Sequence, residues 1–172
     1  QQWTLKLTHP EEVAGLPQRA LEALASAARD AGDSGATADE GPWLLGLDMP
    51  RYLPFLTHAN NRSLREKAYR AHVGRASSGE HDNRALIEEI LALRGEQATR
   101  LGYAHWADVS LASKMAKDVD AVEGLLEELR VAAFPAAERE LDDLKALAQR
   151  HGAAEAEELA PWDLPYWSEK LR

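Results

Sequence analysis

Cysteine is absent from this 172-residue chain, which excludes disulfide staples, thiolate nucleophiles and Cys-ligated zinc. Aromatic residues make up 6% of it and methionine occurs twice. No apolar run approaches the roughly 20 residues that a membrane-spanning helix requires, and the opening residues do not resemble a signal peptide. Basic charge is also scarce: 20 Lys and Arg face 29 Asp and Glu, for a net charge of −9. Nucleic-acid binding needs a basic face that neutralises phosphates and releases counterions, so neither nucleic acid nor membrane is expected as a partner. The expected location is cytoplasmic.

The familiar catalytic constellations are missing too. A hydrolytic zinc helix needs two histidines four residues apart, with a glutamate beside the first. The six histidines, His9, His58, His72, His81, His105 and His151, contain no such pair. His72 and His81 flank a turn, but no third ligand is suggested. His151, just before Gly152, suits a helix C-terminus, where its charge complements the dipole. Ser77-Ser78-Gly79 and Ser110 lack the strand-turn-helix setting of a nucleophile elbow. The pairs Glu88-Glu89, Glu127-Glu128 and Asp142-Asp143 are neighbours in sequence and so diverge around a helix. Glycines 32, 35 and 41 are followed by no Lys-Ser/Thr and form no phosphate loop. No catalytic, cofactor-binding or metal-ligating residue is assigned.

What is present is helical pattern. Trp3-Thr4-Leu5-Lys6-Leu7 alternates as a half-buried strand does, and Pro42 to Asp48 reads as a second strand. Together they predict a small two-stranded element whose direction the sequence does not give. Thr8-x-x-Glu11 reads as the capping box of a short helix ended by Gly15. From Pro17 to about Ala31 an apolar stripe runs through Ala20, Leu21, Leu24, Ala27 and Ala28. Residues 32–41 are small, polar and acidic, the best candidate for a mobile loop. Helices are predicted over 51–58, 62–76, 82–101, 103–113, 119–151 and from Pro165 onwards. Pro135 should kink or break the longest of them. Asp82 and Asp118 are expected as N-caps, with Gly102 and Gly152 as stops.

The basic cluster from Arg62 to Arg75 is diluted by Glu66 and reads as a solvated, salt-bridged helix face rather than a phosphate site. Trp162, Tyr166 and Trp167 recur at helical spacing and read as packing rather than ligand stacking. The chain begins Gln1-Gln2-Trp3 and stops at Leu171-Arg172 inside a helical pattern. Both ends read as cuts, so a piece of a longer protein is expected. Residues 1–172 are read as one mostly helical segment, with a β-containing part over 1–60 and a helical part over 61–172.

Several motifs occur in order: Leu47-Asp48-Met49-Pro50-x-Tyr52-x-Pro54, Asn61-Arg62-x-Leu64-Arg65-Glu66, Asp82-Asn83, Ile87-x-x-Ile90-Leu91-x-Leu93-Arg94, Leu101-Gly102-Tyr103, Ser110-Leu111-Ala112-x-Lys114-Met115-Ala116 and Pro161-Trp162-Asp163. Together they resemble the middle of the M3 family of zinc oligopeptidases, the group of thimet oligopeptidase and bacterial oligopeptidase A. The first motif looks more like the oligopeptidase A branch than the dipeptidyl carboxypeptidases.

The resemblance implies an almost wholly helical parent metalloendopeptidase whose two halves enclose a channel for short peptides. It also implies zinc held by a His-Glu-x-x-His helix and a later glutamate, none of which lies in this chain. The implied function is therefore that of an internal scaffold fragment, inactive and zinc-free by itself. The alternative is a stand-alone, non-catalytic helical binding module derived from the same body. An excised fragment should self-associate through exposed apolar surface, with Trp162, Tyr166 and Trp167 as the expected contact.

Overall fold

In the computed structural model, which describes residues 3–172, the alternating segment near the N-terminus forms strand β1 (Thr4–Leu7) and the second apolar segment forms β2 (Trp43–Gly46). They pair antiparallel with Leu5 opposite Leu45 and Leu7 opposite Trp43. Seven α-helices account for most of the described chain: α1 (Gln18–Asp30), α2 (Met49–His58), α3 (Arg62–Val73), α4 (Arg84–Arg100), α5 (Trp106–Leu111), α6 (Val119–Arg150) and α7 (Leu164–Leu171). The fold is thus mainly α with a small two-stranded sheet near the N-terminus.

Contacts divide the chain into two compact units. One joins residues 1–75 with 142–172, and the other comprises residues 76–141.

In the first unit, α1 packs on β2 and α2, and α2 packs on α3 and α7. The stripe of α1 buries Ala20, Leu24, Ala25 and Ala28. Ala25 takes the place expected of Ala27, because the face that meets the sheet is rotated slightly from the one the apolar residues alone suggest. Leu7, Trp43, Leu45 and Phe55 complete a core from which water is fully or almost fully excluded. A smaller cluster gathers Leu144, Leu147 and Ala148 of α6 around Ala156 and Trp167.

The turn at Gly15 brings two chain segments into close approach. Its φ is +92°, and a Cβ there would lie 2.4 Å from the His58 carbonyl oxygen. The backbone of Asn60 donates to the Ala14 carbonyl at 2.8 Å beside it.

Several local expectations shift. The box expected at Thr8 and Glu11 belongs instead to Glu12, whose carboxylate accepts from the backbone N–H of Thr8 at 2.8 Å and of His9 at 2.9 Å. The short 3-10 turn over Pro10–Glu12 starts one residue later than the capping pattern suggests, since Pro10 supplies its first position. The loop over 32–41, read as mobile, is tied down. Arg29 Nη1 donates to the Ala36 carbonyl at 2.7 Å, Trp43 Nε1 to the Ala38 carbonyl at 3.0 Å, and Lys6 pairs with Asp33. Those anchors use main-chain carbonyls, which residue type does not display.

The second unit holds α4 and α5, which pack on each other, and the first two-thirds of α6. Helix α6 runs without a break through Pro135. Asp118 Oδ1 caps it by accepting from the Ala121 N–H at 2.8 Å. Asp82 accepts from the Arg84 N–H at 2.9 Å at the start of α4. Gly102 ends α4 and Gly152 ends α6, with the N–H groups of Tyr103 and Ala153 reaching back to the carbonyls of Ala98 and Ala148.

Candidate functional site

Helix α3 begins at Asn61, whose Oδ1 accepts from the Leu64 N–H at 3.2 Å and so satisfies one of the free donors of the first turn. Arg62 and Arg65 follow three positions apart, which on a helix puts both on one side, and Arg65 shares the buried face with Ala68. Opposite them, Asp163 sits immediately before α7.

The Asp163 carboxylate is wholly buried and receives five hydrogen bonds. Oδ1 accepts from Arg65 Nη2 at 2.9 Å and Arg62 Nε at 3.0 Å. Oδ2 accepts from Arg62 Nη2 at 2.8 Å, Arg62 Nε at 3.1 Å and the Ala160 N–H at 3.0 Å. Arg65, also buried, spends its remaining donors on main-chain carbonyls: Nη1 on Ala59 at 2.8 Å and Asn60 at 3.3 Å, Nε on Trp162 at 3.2 Å. A buried ion pair is tolerated only when the remaining lone pairs and protons are satisfied in this way.

Aromatic rings frame the cluster. The Arg65 guanidinium lies 4.0 Å from the Tyr166 ring centre, and the Tyr166 hydroxyl donates to Asn60 Oδ1 at 3.0 Å. Arg62 and Arg70 lie over Trp162 at 5.6 and 4.9 Å, and Tyr69 meets the same ring at 5.7 Å. Trp167 packs edge-on against Tyr166 and His151. The three aromatics assigned to packing therefore do pack. The solvated reading of the basic cluster holds for Arg70, which pairs with Glu66, but fails for Arg65. Arg65 is enclosed by Asp163 and three carbonyls, a partnership no local spacing reveals.

Electrostatically the cluster carries two cations against one anion. The surplus is carried at Arg62, about 39% exposed, where water solvates it. Hydrogen bonding to Asp163 raises the Arg62 guanidinium above its ordinary value, with burial opposing. The five hydrogen bonds occupy both oxygens of the Asp163 carboxylate. Chemically this is a clasp between residues far apart in the chain.

The remaining candidates are scattered. His72 stacks on Tyr52 at 4.2 Å with the rings 8° from parallel, and burial, assisted by the Arg75 charge, lowers its pKa. His151 Nδ1 lies 3.1 Å from the Leu147 carbonyl at the end of α6. His58 is the last residue of α2, His9 and His105 precede short helical turns, and His81 lies in a 3-10 turn. Ser110 Oγ accepts from Lys114 Nζ at 2.7 Å. Glu127 pairs with Arg130. Among the described residues, no three His, Cys, Asp or Glu side chains are placed to hold a metal ion. The donors among the described residues thus do not fit zinc. No helix of the described residues is long and apolar enough to cross a membrane.

Comparison with known proteins shows the family to which this helical fold and its buried Arg-Asp cluster belong. Residues 55–172 match the model of peptidase family M3. The chain belongs to that family. It is 51% identical over 166 residues to a probable cytosolic oligopeptidase A of Arabidopsis thaliana, covering 96% of this chain and 24% of the relative. It is 50% identical over 166 residues to an organellar oligopeptidase A, chloroplastic/mitochondrial, of the same plant, covering 96% and 21%. Oligopeptidase A of Salmonella typhimurium is 43% identical over 175 residues, covering 99% and 24%. The chain spans about a quarter of the length of these relatives.

Proposed function

We propose that this chain is a scaffold segment of a longer zinc-dependent oligopeptidase, a metalloendopeptidase that hydrolyses short peptides, and that the segment contributes body rather than zinc ligands. The observation that carries the proposal is the collinear similarity of almost the entire chain to a quarter of proteins named oligopeptidase A. A second support is local. Arg62, Arg65 and Asp163, residues of the motifs that mark the family resemblance, spend their hydrogen bonds on each other and on main chain. In this reading residues 47–75 and 82–94 brace the wall of a channel that admits short unstructured peptides and excludes folded proteins, while the chemistry lies elsewhere in the polypeptide. A cytoplasmic site of action is proposed with it, on the name of the first Arabidopsis relative.

The test compares the purified 172-residue chain with the full-length protein for bound zinc and for cleavage of a fluorogenic oligopeptide. Zinc near one per molecule and turnover are expected in the full-length protein alone. Stoichiometric zinc or turnover in the 172-residue chain would overturn the proposal.

A further inference from the structure

After α3 the chain runs Gly74-Arg75-Ala76-Ser77-Ser78-Gly79, where Arg75 is the one large side chain among small residues. Residues 73–81 are exposed throughout, and 74–78 belong to no helix or strand. Ala76 is held at a left-handed φ of 54°, a conformation that favours glycine and that is relieved when the backbone extends. On either side of the Arg75–Ala76 bond, the Arg75 N–H reaches the His72 carbonyl only at 3.5 Å, and the Ala76 carbonyl accepts from the Asn83 N–H at 2.9 Å. Exposed segments outside regular structure open locally at small cost, and loops of small and polar residues are where endopeptidases cut.

We propose that this loop is a proteolytic modification site, cut after Arg75 by an endopeptidase with an acidic specificity pocket, and that the cut chain stays assembled through the Asp163 clasp. Water adds across the Arg75–Ala76 bond: its oxygen completes a carboxylate on Arg75, and the Ala76 nitrogen leaves as a free amine. The Arg75 side chain is exposed, so its charge can enter such a pocket. Other basic residues are less available. Arg94, Arg100 and Arg130 lie inside α4 and α6. Between α5 and α6, Lys114 Nζ donates to Ser110 Oγ at 2.7 Å, and Lys117 is followed directly by Asp118, whose carboxylate lies 3.7 Å from its Nζ. The cut puts Arg62 and Arg65 on one piece and Asp163 on the other. The clasp, the packing of α2 on α7 and the Tyr166 bond to Asn60 all therefore span it. None of this depends on the scaffold reading.

The test is brief digestion with trypsin, read by intact mass, of the 172-residue chain and of the full-length protein. Residues 1–75 and 76–172 are expected as the first products of the short chain, with the same bond cut in the full-length protein. Arg75→Gln should lose that cut and keep the later ones. A first cut at Lys114 or Lys117, or a full-length protein left intact at Arg75, would overturn the proposal. On size exclusion in native buffer the two pieces of the cut short chain should travel together, and urea should part them at a lower concentration in Asp163→Asn. Tyr166→Phe, which removes only the hydroxyl bond to Asn60, is a milder second variant and should shift the same midpoint less. Pieces that separate without urea, or a midpoint that neither variant moves, would overturn the assembly through the clasp.

Discussion

Asp163 and Arg65 meet at 2.9 Å with both side chains buried, although 98 positions separate them in the chain. Their contact, with Arg62 completing it from the solvent side, ties the turn before α7 to the first turns of α3. It joins residues of two separate family motifs directly through their side chains.

Asp163→Asn keeps the shape of the side chain but removes the charge that two arginines face. Removing one partner of a buried pair leaves the other uncompensated, at a cost of about 3–5 kcal/mol. Urea unfolding of the chain, followed by tryptophan fluorescence, should show that loss. Arg62→Ala should cost much less, because the Arg62 guanidinium already reaches water. Equal effects at the two positions would contradict the assignment of Arg65 and Asp163 as the buried pair.

Asn61→Ala removes the side-chain acceptor for the Leu64 N–H at the start of α3. Loss of such a cap should lower stability by about 1 kcal/mol. Asn61→Asp should restore most of it, and an alanine variant as stable as the parent in urea would show that the cap contributes nothing.

Gly15→Ala meets both a left-handed backbone and the His58 carbonyl 2.4 Å from the new Cβ. Destabilisation of more than about 1 kcal/mol is expected, measured from the same urea transition. Gly32 is also left-handed, with φ of +108°, but nothing crowds its Cβ position. Gly32→Ala should therefore cost clearly less, and equal losses at the two sites would refute the close-approach explanation.

Glu12 should make the fold acid-sensitive. Its carboxyl is held below the ordinary value, first by the His9 N–H and further by the Thr8 N–H, with burial opposing. The unfolded chain thus takes up this proton at higher pH than the folded one. The contribution to stability is present above the unfolded value and is lost as pH falls through the lowered folded value. Urea midpoints of Glu12→Gln should vary less with pH over that window than those of the parent, and parallel curves would contradict the assignment.

Most of the helices were legible because each is a local pattern. The predicted bounds of α1, α2 and α6 lie within two residues of the observed ones, and Asp118, Gly102 and Gly152 mark ends where expected. The direction of the β1–β2 pair was not legible, since two short strands far apart in the chain can pair in either direction. The loop over 32–41 looked loose because its anchors are carbonyl oxygens, which every residue type carries. The clasp had one sequence signal. Arg65 lies three residues before Ala68 on the buried face of α3, and a cation there demands a buried anion. Nothing local says that the anion is Asp163.

The most direct test of the central claim, that these motif residues build scaffold and not chemistry, is a paired measurement on full-length Asp163→Asn. Its Tm and its kcat per folded, zinc-loaded molecule would be determined together. A lowered Tm with an unchanged kcat is expected, as follows from the distances that bind Asp163 to Arg62, Arg65 and Ala160. A preserved Tm with a collapsed kcat would contradict it.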